Sequence, residues 1–116
     1  MDPQKCLFCR IVRKEIPAKV LFEEEHVLAF HDLNPQAPTH VLVIPKVHLD
    51  SLEGLSEHHA ALGAALWQGA RRAASMMGVA ASGYRTVVNT GLEAGQSVEH
   101  LHVHVLGGRA LGWPPG

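Results

Sequence analysis

A chain of 116 residues, 47% of them apolar and with a formal charge of −1, has room for one core and not for a second domain. The near balance of charge gives no electrostatic footing for a nucleic-acid polymer or a membrane surface. Met1 to Lys5 is polar and no apolar run of signal length follows, while the small-residue stretch Ala60 to Ala81 carries Gln68, Arg71 and Arg72, which excludes a membrane span; the expected location is the cytoplasm.

In chain order, Leu7, Phe8, Ile11 and Val12 repeat at helical spacing and predict a short helix within residues 4–14. Ile16-Pro17 ends it, because the residue before a proline avoids helical dihedrals. Apolar runs at Ala18 to Phe22 and Val27 to Phe30 flank the charged Glu23-Glu24-Glu25-His26 and predict a hairpin. Asp32 to Pro38 is a loop, broken by two prolines. His40 to Ile44 then reads as a strand whose unbroken apolar run suits a central position, covered on both faces.

A long helix is expected over Ser56 to Met77, with Ser56 as N-cap and Gly78 at its end. Leu62, Leu66, Ala70, Ala73 and Met77 mark its buried stripe. Gly63 and Gly69 inside it cost about 1 kcal/mol each against alanine, and two explanations stand side by side: close packing on another helix across a dimer axis, or drift. Tyr84 to Val88 predicts another strand, and Asn89 to Gln96 a loop. About five strands and one long helix that do not alternate one for one predict an α+β fold with an antiparallel sheet.

The chemistry concentrates in Gly95 to Gly108. His100, His102 and His104 alternate with Leu101, Val103 and Val105, the period of a strand with an imidazole face and an aliphatic face. Such a row admits a metal site, a nucleophile, or an anion site. Three such residues on a flat strand span roughly 13 Å, so one ion draws easily on two of them and poorly on three. Neutral imidazole is a good nucleophile near pH 7. Gly95-Gln96-Ser97 just ahead offers backbone N–H groups and a hydroxyl for phosphate oxygens. No Gly-Lys-Ser/Thr loop is present, so phosphate is not bound in the P-loop manner.

His100-Leu101-His102-Val103-His104-Val105-Leu106 resembles the signature of the histidine triad superfamily, and its Hint branch in particular. The likeness extends through Cys6 to Phe30, His31 to His40, Val43 to Lys46, Gly95 to Ser97 and the closing Trp113-Pro114-Pro115-Gly116. It implies a five-stranded antiparallel sheet with a long helix and a short N-terminal one, continued across a homodimer. It implies hydrolysis of purine nucleoside 5′-phosphoramidates to the monophosphate and an amine, with no metal required for catalysis. His102 would be the nucleophile and would form a nucleotidyl-histidine. His104 and Ser97 would contact the phosphate, with the backbone of Gly95 and Gln96, and Asn89 would reach the phosphate end. His100 would orient the nucleophilic ring. Phe30, His31, Asp32 and Leu33 would hold the nucleoside, with Asp32 on the ribose. His48 matches a fourth family histidine near the site. Trp113 would extend toward the partner subunit's active site and shape preference for the leaving amine.

Cys6-x-x-Cys9 departs from the animal Hint pattern and is similar to a pair in many bacterial relatives. One reading is a closed, structural zinc site with His48 and His100, the ligands the resemblance implies; the other is two reduced cysteines packed round a short helix. Two other functions are weighed against the phosphoramidase: a purine-nucleotide-binding regulatory module with incidental hydrolysis, and a dinucleoside polyphosphate hydrolase. His26, His58 and His59 are taken as solvated.

Overall fold

The computed structural model describes residues 2–116. Five strands form one antiparallel sheet: β1 (Val20–Glu23), β2 (Val27–His31), β3 (Thr39–Pro45), β4 (Tyr84–Val87) and β5 (Val103–Gly107), in the order β1-β2-β3-β5-β4. The expected α+β architecture is present, and β3 takes the central place that its apolar run required, with every residue buried. The short helix α1 (Leu7–Val12) and the long helix α2 (Ala60–Met76) complete the fold. No helix among the described residues is long and apolar enough to cross a membrane.

Strand alternation divides the core between the two faces. Val41 and Val43 of β3 and Val103 and Val105 of β5 point to α2, where Leu62, Leu66, Ala70 and Ala73 meet them. Leu42 and Ile44 point the other way, with Leu28 and Phe30 of β2, to Cys6, Phe8, Cys9 and Ile11 in and beside α1. That second face has only a six-residue helix over it. A helix so short is not stable alone, so α1 depends on what it packs against.

Four expectations need correction. The long helix begins at Ala60; Ser56 instead caps a separate 3₁₀ turn, Glu57–His59, its hydroxyl accepting from the His58 N–H. His59, read as solvated, closes that cap through Nδ1, which accepts from the Ser56 N–H. Gly69 packs on the sheet of its own chain and not on another helix: a Cβ there would lie 2.9 Å from Val43 Cγ1, whereas Gly63 faces open space. The histidine strand starts late. Residues 100–102 have left the ladder and are tied instead by the Leu101 N–H, which donates to the Leu49 carbonyl at 2.7 Å. The alternation of faces nevertheless carries through, because Leu101 joins the core on the α2 side while His102 lines the opposite face.

Candidate functional site

A cleft of about 250 Å³ opens on the α1 side of the sheet. Its apolar part is walled by Phe8 and Ile11 of α1, Ile16, Phe30 and Leu42. Ser97, His102 and His104 supply its polar part, with Phe8 edge-on to His102 and Leu42 opposite His104 in the sheet. His31, Asp32 and Leu33 border it, and Leu33 is 93% exposed, an apolar side chain at the rim. Of the residues singled out in the sequence, Phe30, His31, Asp32, Leu33, Ser97, His102 and His104 thus meet in one place.

The imidazoles in this cleft are oriented by their partners. His102 Nδ1 is 2.7 Å from the carbonyl oxygen of His100, which can only accept, so Nδ1 carries the proton and Nε2 keeps its lone pair. His104 is set the opposite way. The Gln36 N–H donates to His40 Nδ1 at 3.0 Å, so neutral His40 has its proton on Nε2. That Nε2 donates to His104 Nδ1 at 2.9 Å, which puts the His104 proton on Nε2. Burial holds His104 down at about 4, and the neighbouring His102 and His40 push the same way, so the ring is neutral near pH 7. Burial lowers His40 as well, against the pull of Asp32, whose Oδ2 is 3.5 Å from Nε2. His104 Nε2 is buried without a protein partner. A buried donor left open in a cleft is a place for a ligand acceptor. The rings of His102 and His104 sit 4.9 Å apart, one presenting a lone pair and the other an N–H.

His40 is the residue that sequence reading passed over. In the sequence it stands only as the first residue of a strand, and it is His48 that matches the fourth family histidine near the site. The structure places His40 against His104 and puts His48 elsewhere, beside Cys9. Of the apolar wall, Phe8 and Ile11 stand in the sequence only as helix positions, Ile16 as the end of that helix and Leu42 as a strand position.

His48 belongs to a second cluster. Cys6 Sγ, Cys9 Sγ, His48 Nδ1 and His100 Nδ1 all lie within 4.8 Å of one another. His100 Nδ1 is 3.3 Å from Cys6 Sγ and 3.5 Å from Cys9 Sγ, and His48 Nδ1 is 3.2 Å from Cys9 Sγ. A tetrahedral zinc with its usual bond lengths spaces sulfur and nitrogen by about 3.6 Å. The remaining ring nitrogens are already committed: His48 Nε2 donates to Asp50 Oδ1 at 2.6 Å, and His100 Nε2 to the Pro45 carbonyl at 2.9 Å. Both Nδ1 lone pairs are thereby turned inward, the arrangement that orients histidine for a metal. Burial and the adjacent Cys6 push the Cys9 thiol up to about 11, so a thiolate at Cys9 calls for a cation beside it. These four residues fit a structural zinc, which would cross-link α1 to the segments holding His48 and His100.

The other candidates stand outside the cleft lining. Gly95 is at φ +80°, a left-handed turn that suits glycine. The Gln96 side chain is spent on the loop itself: Nε2 donates to the carbonyls of Asp50 and Val98, and Oε1 accepts from the Gly91 N–H. Asn89 is half-buried just after β4. Trp113 lies near Arg85 of β4, whose guanidinium is 5.9 Å from the indole and donates to the Gly112 carbonyl.

Residues 13–111 match the family model of the HIT domain. The chain belongs to the HIT family. A crystal structure of a HIT family hydrolase from Legionella pneumophila superposes with a TM-score of 0.94 at 46% identity, covering 97% of this chain and 100% of that one. A 14 kDa zinc-binding protein of Zea mays is 49% identical over all of this chain and 91% of its own length. An adenylylsulfatase HINT1 of Arabidopsis thaliana is 48% identical over 95% of this chain and 76% of its own. The cleft is thus a feature of a HIT-family chain, and the zinc-type cluster lies against it.

Proposed function

We propose that this HIT protein hydrolyses purine nucleoside 5′-phosphoramidates through a nucleotide covalently held on His102. The observation that carries the reading is the opposed protonation of two adjacent rings: His102 with a free Nε2, His104 with a free Nε2–H. In the first step, the His102 Nε2 lone pair attacks phosphorus and the P–N bond breaks as a proton from solvent passes to the nitrogen, so that the amine leaves neutral. In the second, water attacks phosphorus and gives its proton to solvent, the electron pair of the P–Nε2 bond returns to Nε2, and the monophosphate leaves. The His104 Nε2–H and the Ser97 hydroxyl hold phosphate oxygens whose charge builds in both steps. The apolar part of the cleft takes the base, and Asp32 takes the ribose hydroxyls. The adenylylsulfatase relative supports the same transfer with a different leaving group.

Both β1 and β4 are sheet edges. A homodimer formed along β4 would continue the sheet and bring the 113–116 tail toward the partner's cleft; sedimentation analysis tests it.

The decisive assay is turnover of adenosine 5′-monophosphoramidate. Wild type should release adenosine monophosphate, and His102→Ala should lose activity by a factor on the order of 10³ or more while binding the monophosphate within a few-fold. A wild-type protein that binds the nucleotide but turns over neither phosphoramidate nor adenylyl sulfate would be a binding module instead.

A further inference from the structure

The zinc-type cluster is joined to the cleft in three places, each through a different covalent neighbour. Cys6 and Cys9 belong to the α1 segment, and Phe8 and Ile11 of the same segment wall the apolar part. Phe8 lies edge-on to Phe30, His100 and His102, with ring centroids 5.5, 5.8 and 5.3 Å away. His100 gives its ring to the cluster and its carbonyl to His102 Nδ1. His48 leads into Leu49 and Asp50. The Leu49 carbonyl accepts from Leu101, between the two histidines, and the Asp50 carbonyl accepts from Gln96, the staple of the phosphate loop. Nucleoside wall, nucleophile and phosphate loop therefore share one anchor.

The geometry points to a control role: occupancy of the Cys6/Cys9/His48/His100 centre by zinc sets both nucleotide affinity and the orientation of His102. The argument rests on the proposed nucleotide chemistry for its ligand, though not for its geometry. When bound, zinc supplies a cross-link and takes no part in bond breaking. Without it, α1 has six residues and one apolar face to hold it, and His100 Nδ1 keeps only the Cys6 and Cys9 sulfurs, weak hydrogen-bond partners carried on α1 itself. Loosening α1 widens the nucleoside part. Loosening His100 frees its carbonyl and with it the Nδ1–H tautomer of His102. Because coupling between two binding sites is reciprocal, a nucleotide that profits from zinc must tighten zinc by the same factor.

The test uses the zinc-loaded full chain and adenosine monophosphate as probe. Zinc affinity is measured by chelator competition with and without saturating nucleotide, and nucleotide affinity by calorimetry before and after stripping, with far-UV circular dichroism on each sample. Expected are a folded stripped protein, a loss of nucleotide affinity of about tenfold or more, and an equal gain in zinc affinity when nucleotide is present. Ring ¹⁵N shifts of His102 should also move from one tautomer to a mixture on stripping. Equal nucleotide affinities with unchanged His102 shifts overturn the inference. So does a stripped chain that unfolds, since zinc would then hold the fold and not the site. If the loaded protein binds no nucleotide at all, the proposed function fails, and the ¹⁵N shifts alone decide the coupling.

Discussion

His40 Nε2 donates to His104 Nδ1 across 2.9 Å, and the two residues come from adjacent strands, 64 positions apart in the chain. This bond chooses which nitrogen of His104 carries the proton and is left open in the cleft. His40 is itself set by a main-chain donor, the Gln36 N–H, and that loop is held by Arg109, which donates to the Gln36 carbonyl. The protonation state of the cleft is thus laid down one nitrogen at a time from the backbone outward.

Removing that relay should cost chemistry more than binding. His40→Ala leaves His104 free to take either tautomer. By analogy with wrong-tautomer variants of other histidine enzymes, kcat should fall by on the order of 10² to 10⁴. KM should change by much less, and circular dichroism should be unaltered. A His40→Ala enzyme with wild-type kcat would show that the His104 tautomer is set by something else.

Acid should weaken the fold before it unfolds it. His104 is held down at about 4 by burial, then by His102 and His40, and burial lowers His40 too. The unfolded chain protonates these groups near 6.5. Between those values the unfolded state binds more protons, so the stability that comes from keeping them neutral is whole above about pH 6.5 and drains away as pH falls toward about 4. The urea midpoint of the zinc-loaded protein should be lower at about pH 5 than at about pH 7, and the difference should shrink in His104→Asn. A midpoint that rises on acidification contradicts this.

The two glycines of α2 should respond in opposite ways to the same substitution. Gly63→Ala adds a Cβ in open space and should stabilise by about 1 kcal/mol through helix propensity alone. In a chain of this length that raises Tm by about 4 °C. Gly69→Ala gains the same propensity but drives its Cβ to 2.9 Å from Cγ1 of the fully buried Val43, and overpacking of this kind costs about 1–3 kcal/mol. Its Tm should stay at or below that of wild type. Equal gains from both would mean that α2 lifts off the sheet at no cost.

Deleting residues 113–116 should alter which amine leaves best, with little loss of folding. Trp113 is 81% exposed and touches its own chain chiefly through Arg85 and the Gly112 link, so no core is lost with it. Competition between phosphoramidates of different amines is the measurement. An unchanged ranking would remove the tail from the specificity argument.

What could be read in advance follows how local each signal is. The period of two in Leu101, Val103 and Val105 placed them in the core, and the unbroken apolar run of β3 placed it at the centre of the sheet. Cys6-x-x-Cys9 announced a cluster because its spacing is local. His40 carried no such mark. Its role depends on the register that sets His40 opposite Leu106 and Leu42 opposite His104, a pairing fixed only when β3 and β5 meet. Most of the apolar wall was hidden for the same reason: Phe8, Ile11 and Leu42 are ordinary core residues until α1 closes over one end of the sheet. His100 was expected to sit in a strand beside its neighbours. The chain leaves the ladder before Val103, and that departure is what lets the carbonyl of His100 turn toward His102.

The group that aims His102 is a main-chain oxygen. Many histidine enzymes aim their base with a carboxylate side chain, which one base change in a gene can delete. Here no codon encodes the orienting atom, because every residue at position 100 brings the same carbonyl. Mutation can reach it only by bending the backbone. Drift at position 100 would therefore leave the aiming atom present and reach His102 only through the cluster of side chains that pins this stretch of backbone, so the geometry of His102 is inherited as a path of the chain together with the residues that hold that path.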